Sequence, residues 1–273
     1  MHAKTNYYCC RIVMHFISIQ MKKMKTGEFN GLKLKKMFSV IAGLFCLVSI
    51  SFGQPYTIYL TFDDGPLNGS EKIHDAVDKE QIKTTVFVVG VHIDNGGKWK
   101  TYFDNYLKDS LIEVGNHSYS HAHNHYAAFY NSPQAVVDDF VKSYEKHSLP
   151  TKLCRLPGRN MWRTAKITRN DMKSGSSSAD LLFKNGFKVI GWDLEWQHDG
   201  KTGTPIQTVD DMVDQISTQL KKKRTQTKNH IVLLCHDEMF AKEWEESELK
   251  QLITKLKADG NYRFDFISNY PNL

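Results

Sequence analysis

The 273-residue chain is poor in cysteine, shows no internal repeat and has no apolar run of the roughly 20 residues that a membrane-spanning helix needs. It also lacks a surplus of either charge once its first residues are set aside. Residues 1–53 hold eight of the 36 Lys and Arg residues but only one of the 30 acids, Glu28. The remaining 28 basic and 29 acidic residues nearly cancel. Nucleic-acid binding rests on a basic footprint, so no nucleic-acid partner is expected. Of five cysteines, only Cys154 and Cys235 lie beyond residue 53.

Residues 1–53 read as a leader with a secretory signal peptide. The apolar run 38–50 follows Lys33, Lys35 and Lys36 and precedes Ser51-Phe52-Gly53, small residues at the first and third positions of a cleavage site. Cleavage is expected near Gly53, and an uncleaved N-terminal anchor is the alternative. Cys46 follows Phe45, which is too bulky for the usual lipid-attachment site. The expected location is secreted, periplasmic or at the cell envelope. Residues 54–273 are enough for one domain with a substantial core.

Short β-rich runs alternate with helical patterns along that domain. Expected strands are 56–62, 84–89, 111–115, 152–155, 187–193, 230–236 and 264–267. Expected helices are 70–80, 98–109, 133–147, 177–185, 208–222 and 246–258. Ser132-Pro133 reads as a cap followed by a first-turn proline, with Val136, Val137, Phe140, Val141 and Tyr144 at helical spacing behind it. Alternating strand and helix implies parallel strands with right-handed crossovers. About seven such units can close into a barrel or leave an open sheet, and periodicity alone does not choose. Residues 158–178 are weakly patterned and basic. They read either as a solvated loop or as a wall of a cleft that offers Trp162 to a ligand.

Polar residues collect where strands end. Thr61-Phe62-Asp63-Asp64-Gly65-Pro66 places two adjacent carboxylates at the carboxyl end of a strand, where α/β folds tend to gather their chemistry. Adjacent carboxylates repel and call for a cation or a shared proton. His117 and His121 follow the next strand but one, four residues apart. That spacing puts both on one face if the segment turns helically. Two His and one Asp make a three-ligand metal site with a position left open. His123 and His125 read as exposed loop residues. Arg155, before Pro157 and Gly158, is placed to hold a carboxylate by a bidentate contact. The strand 187–193 runs into Trp192-Asp193-Leu194-Glu195-Trp196, and the strand 230–235 ends at His236, a candidate acid if a carboxylate sets its pKa. Cys154 and Cys235 directly precede Arg155 and His236. Strand alternation therefore turns both thiols away from the site, as buried, unpaired groups.

In that order the motifs resemble those of the polysaccharide deacetylase family, also called the NodB-homology domain or carbohydrate esterase family 4. The resemblance covers roughly residues 55–240. Thr61 to Pro66 matches the first motif, His117 to His121 the second, Arg155 with Pro157 the third, and Leu234 with His236 the fifth. In the fourth, Glu195-Trp196 aligns and Asp193 sits one place out of register. The resemblance implies a distorted (β/α)7 barrel in a single catalytic domain, residues 54–273, and a divalent cation, zinc or cobalt. Asp64, His117 and His121 would hold the metal. Asp63 would be the base, oriented by Arg155, and His236 the acid, tuned by Asp193 or Glu195, with Asp193 favoured for its place in the strand. Leu234 and Trp196 would wall an acetyl pocket beside Pro157 and Gly158. Gly158 stands where the family often has an aromatic residue, and Trp162 is expected to replace that ring. The implied function is removal of acetyl groups from N-acetylated glycans, peptidoglycan N-acetylglucosamine first among them. An O-acetyl esterase acting on xylan or another acetylated polysaccharide is the alternative, and a non-catalytic carbohydrate-binding protein is the alternative of another class. The implied partner is an acetylated polysaccharide or oligosaccharide, with no stable protein partner.

Overall fold

Strand β1 (Tyr56–Asp63) is almost wholly buried, as a strand flanked on both sides by parallel neighbours must be. In the computed structural model, residues 56–243 and 246–273 are described; the leader, the signal peptide and its cleavage site lie outside them. The described residues fall in the unit Gly53–Leu273. Strands β2 (Thr84–Val88), β3 (Ile112–Asn116), β4 (Leu153–Cys154) and β7 (Lys188–Val189) continue the sheet on one side of β1. On the other side lie β9 (His230–His236) and then β8 (Leu194–Glu195). The short β10 (Tyr262–Phe264) also pairs with β1. These pairings are all parallel, so every strand sends its carboxyl end to one mouth. A hairpin, β5 (Trp162–Arg163) and β6 (Thr168–Arg169), adds antiparallel to β7. Among the described residues β8 and β6 do not pair with each other, so the barrel is curled but open, the distorted form expected.

Helices pack the outer face through apolar stripes. On α1 (Ser70–Glu80), Ile73, Ala76 and Val77 are buried. On α5 (Pro133–Lys146), Val136, Val137 and Phe140 are buried at i, i+1 and i+4, each burial stabilising by about 1.5–3 kcal/mol. Proline stands in the first turn of α5 as expected, but Ser132 makes no side-chain cap bond. A capping box does close α7 (Val209–Lys221), where Thr208 and Asp211 satisfy each other's amides. Between α1 and α5 lie α2 (Gly90–Asp94), α3 (Gly97–Lys108) and α4 (Tyr126–Phe129); α6 (Ser176–Lys184) follows α5, and α8 (Glu248–Asp259) closes the series.

The expected strand 187–193 is broken, and the breaks have identifiable causes. Ile190 and Gly191 give their carbonyls to the Arg155 guanidinium instead of to a ladder, at 3.2 and 3.1 Å. The Asn160 amide clamps both backbone groups of Trp192, at 2.9 and 3.0 Å. A side chain on Gly191 would strike that amide at 2.1 Å.

Cys154 and Cys235 are free, fully buried thiols in separate apolar clusters. Burial pushes both thiols up from their usual pKa. In the native domain both should react slowly with an aromatic disulfide reagent and quickly after denaturation. A native burst of either thiol would contradict the packing.

Candidate metal centre and cleft

Asp63 and Asp64 end β1 and part ways there. Asp64 turns into the left-handed region, φ 74°, and its carbonyl accepts from His92 Nδ1 at 2.6 Å. The Gly65 carbonyl accepts from the Val89 amide at 2.8 Å. Buried Asp237 braces the turn from β9: its carboxylate accepts from the Gly69 amide at 2.8 Å and from the Ser70 hydroxyl. Burial pushes Asp237 up to about 7.

Opposite Asp64 stand two imidazoles. Its Oδ1 lies 3.4 Å from His117 Nε2 and 3.1 Å from His121 Nε2. The three ligand atoms fall within 4.8 Å of one another. Oδ1 is buried yet has no aligned hydrogen-bond donor. His117 Nδ1 donates to the Arg155 carbonyl at 2.9 Å. That bond leaves the Nε2 lone pair facing Asp64, the tautomer a metal ligand needs. An orphaned buried carboxylate oxygen between two imidazole nitrogens fits a divalent cation. The electrostatics point the same way. Burial opposes charge on Asp64, but the two imidazoles outweigh it and hold the carboxyl well below its usual range. Burial likewise disfavours a charged His117, yet Asp63 and then Asp64 raise its pKa.

The His117–His121 spacing works without a helix. Ser118, His121, Ala122, His123 and Asn124 all have positive φ. The short turn His121–Asn124 is itself wound left-handedly, and the Ser118 hydroxyl, accepting from the His121 amide at 2.9 Å, helps shape it. His123 and His125 are exposed, as expected.

Arg155 is fully buried beneath the site. One nitrogen, Nη1, reaches both Asp63 Oδ1 and the Thr61 hydroxyl at 2.8 Å. The contact with Asp63 is therefore single and not bidentate, since the other donors hold Ile190 and Gly191. Asp63 Oδ2 is left 3.6 Å from His117 Nε2.

On β9, His236 stands beside Asp63 in register. Asp63, Asp64, His117, His121, Leu234 and His236 converge on one cleft of about 240 Å3, which Gly158 also lines. Four expectations do not hold. The Asp193 carboxylate accepts from the amides of Gln226 and Val232, at 2.6 and 2.8 Å, away from His236. Burial pushes it up to about 6 although both amides pull it down. The chain 190–193 is not a strand, so alternation across it fails. Trp162 is buried against Tyr270 inside the barrel and offers nothing to a ligand. Trp196 is buried on Phe240, its indole N–H donating to the Gln207 carbonyl. Pro157 is buried, its carbonyl bonded to Tyr130, and does not line the cleft.

The cleft instead shows Tyr126, Trp192 and Glu195. It also neighbours a pair that no sequence motif marks: His198, bonded to Glu238 at 2.9 Å, packs against His236 with ring centres 4.7 Å apart and planes tilted by 49°. Glu238 stands two residues beyond His236, which was the one available signal. Nothing in the sequence marked Tyr126.

Glu195, and not Asp193, joins Asp63 and Asp64 in the cleft that holds His236, whose Nδ1 is buried without a hydrogen-bond partner. Asp193→Asn should lower stability, because the Gln226 and Val232 amides lose a charged acceptor, and should leave the activity of the folded protein near the parent's. Loss of activity at unchanged stability would contradict this geometry.

Residues 53–167 match the sequence model of the family described as Polysaccharide deacetylase. A chitin disaccharide deacetylase of Vibrio alginolyticus is 27% identical over 203 residues, a match taking in 51% of this chain and 47% of that protein. The chain thus spans about half the length of that relative. Among solved structures, the catalytic domain of a peptidoglycan N-acetylglucosamine deacetylase from Eubacterium rectale is 25% identical, with a TM-score of 0.56 over 78% of this chain and 89% of that one. A Streptococcus mutans CE4 esterase shares the fold at 23% identity, with a TM-score of 0.59 over 78% of this chain and 86% of that one.

Proposed function

We propose that this chain, which belongs to the polysaccharide deacetylase family, is a metal-dependent hydrolase that removes acetyl groups from an N-acetylated glycan. The observation that carries the proposal is the orphaned Asp64 Oδ1 between His117 and His121, with Asp63 and His236 facing the same cleft. Asp64, His117 and His121 would hold a divalent cation, with zinc the natural choice for imidazole ligands, which would polarise an acetyl carbonyl and ease deprotonation of water. Asp63 accepts that proton. Arg155 occupies Oδ1, which orients the carboxylate and leaves Oδ2 3.6 Å from His117 Nε2. His236 delivers a proton to the leaving nitrogen. Leu234 gives the acetyl methyl an apolar contact, and Gly158 leaves room at the cleft wall.

The relatives' named substrates, a chitin disaccharide and peptidoglycan N-acetylglucosamine, support an N-acetylated amino sugar as the target. Peptidoglycan leads because the expected leader would deliver the enzyme to the cell envelope. Acetate release from N-acetylated and O-acetylated glycans, with zinc supplied, tests the reading. Faster release from N-acetyl substrates supports it. Preference for O-acetyl groups would make the protein an esterase, and glycan binding without acetate release would make it a binding protein.

A further inference from the structure

His236 lines the cleft, but its Nδ1 is buried without a hydrogen-bond partner. Asp193, the carboxylate expected to hold that ring, accepts from the Gln226 and Val232 amides instead. Rotation of the imidazole is therefore opposed by packing and not by a bond from Nδ1. A proton donor must be aimed as well as charged, since a misplacement of about 1 Å can cost roughly a hundredfold in rate. The packing comes from His198, whose ring centre lies 4.7 Å from that of His236 with the planes tilted by 49°.

His198 is itself tethered. Its Nε2 donates to Glu238 Oε1 at 2.9 Å. That bond raises the His198 pKa although burial opposes it, so Nε2 keeps its proton. Glu238 stands on the 3-10 turn Asp237–Phe240, which leaves β9 directly after His236, whereas His198 stands on the segment that follows β8. The bond therefore ties those two segments together. A second contact closes the same seam: Gly203 has φ 69°, and a Cβ there would come within 2.5 Å of the Glu238 carbonyl. The Trp196 amide, donating to the Leu234 carbonyl at 2.9 Å, anchors the segment to β9 two residues before His198. The His198 side chain is only 13% exposed. Neither His198 nor Glu238 lines the cleft, so their route to the chemistry is the His236 ring.

We infer that His198 and Glu238 are positioning residues: Glu238 tethers the His198 ring, and that ring holds the His236 imidazole in the orientation from which it protonates the leaving nitrogen. The inference rests on the acid role given to His236 above and adds the two residues that serve it. Histidine suits position 198 because one ring nitrogen donates to a carboxylate while the ring packs against another.

The test compares two leaving groups. An N-acetylated glycan oligomer loses an amine and needs the proton, whereas nitrophenyl acetate loses a phenolate that is stable at neutral pH and does not. Acetate release from both is measured with the zinc-loaded full chain and its variants, with zinc stoichiometry read alongside. His198→Ala should lower kcat on the glycan by roughly ten- to a hundredfold, with KM and zinc stoichiometry near the parent's. It should slow the aryl ester by less than about twofold. Glu238→Ala should reproduce most of the glycan loss, and it keeps the test decisive should His198→Ala fail to fold. Glu238→Gln, whose amide oxygen still accepts from Nε2, should restore most of the activity. In a His236→Ala background, His198→Ala should cost nothing further. Equal slowing of both substrates, losses that multiply in the double variant, or full glycan activity in His198→Ala and Glu238→Ala would overturn the positioning role and leave the deacetylase reading in place. Equal slowing of both substrates by His236→Ala would remove the acid assignment and the inference with it. No acetate release from the glycan by the parent would remove the deacetylase reading and the positioning role together.

Discussion

Asp63→Asn is expected to lower acetate release by a factor of roughly 10²–10⁴, the usual contribution of a positioned base, while zinc binding is expected to match the parent's. Asparagine has the same shape, and its carbonyl oxygen can still accept from Arg155 Nη1, now 2.8 Å from Oδ1. What it loses is the capacity to take a proton. Asp64→Asn differs because Oδ1 of Asp64 lies between the two imidazoles. It removes a ligand charge and should weaken zinc binding together with the rate. Zinc stoichiometry after dialysis, read beside acetate release, separates the two variants. Equal metal loss in both would mean that the adjacent carboxylates share one role.

Arg155→Met should cost about 3–5 kcal/mol of stability, the range for breaking a buried ion pair by removing one partner. The guanidinium is fully buried and holds Asp63, Thr61 and the carbonyls of Ile190 and Gly191. Its loss strands the Asp63 carboxylate, only 3% exposed, beside Asp64. For a domain of this size the melting temperature should fall by on the order of 10 °C. The break between β7 and β8 depends on the same side chain, so activity should fall even well below the melting temperature. A variant that melted within a degree of the parent would show that Arg155 is not a keystone.

Much of this was legible before any coordinates. Strand β9 runs from His230 to His236 as expected, and β1 places Asp63 and Asp64 at the mouth. Continuous apolar runs alternating with helical patterns bring parallel strand ends together, and these are features a sequence displays directly. What escaped depends on backbone geometry between elements. The alternation used for Asp193 assumed a continuous strand, whereas Arg155 and Asn160 draw residues 190–192 out of the ladder. The His117–His121 spacing puts both rings on one face only if the segment turns helically, whereas a run of positive φ brings them to 5.1 Å between centres. Trp162 falls in a hairpin strand instead of an open loop, so its ring packs inside the barrel. Tyr126 and His198 take their places from the folding of segments 121–130 and 196–207, for which residue types alone give no pattern.

The most direct measurement is acetate release from an N-acetylated glycan by metal-stripped protein titrated with zinc. The account predicts no release from the stripped protein and release that rises with zinc to a plateau at one equivalent. His121→Ala should abolish that titration with the fold retained. Full release from the stripped protein, or none with zinc bound at Asp64, His117 and His121, would contradict it.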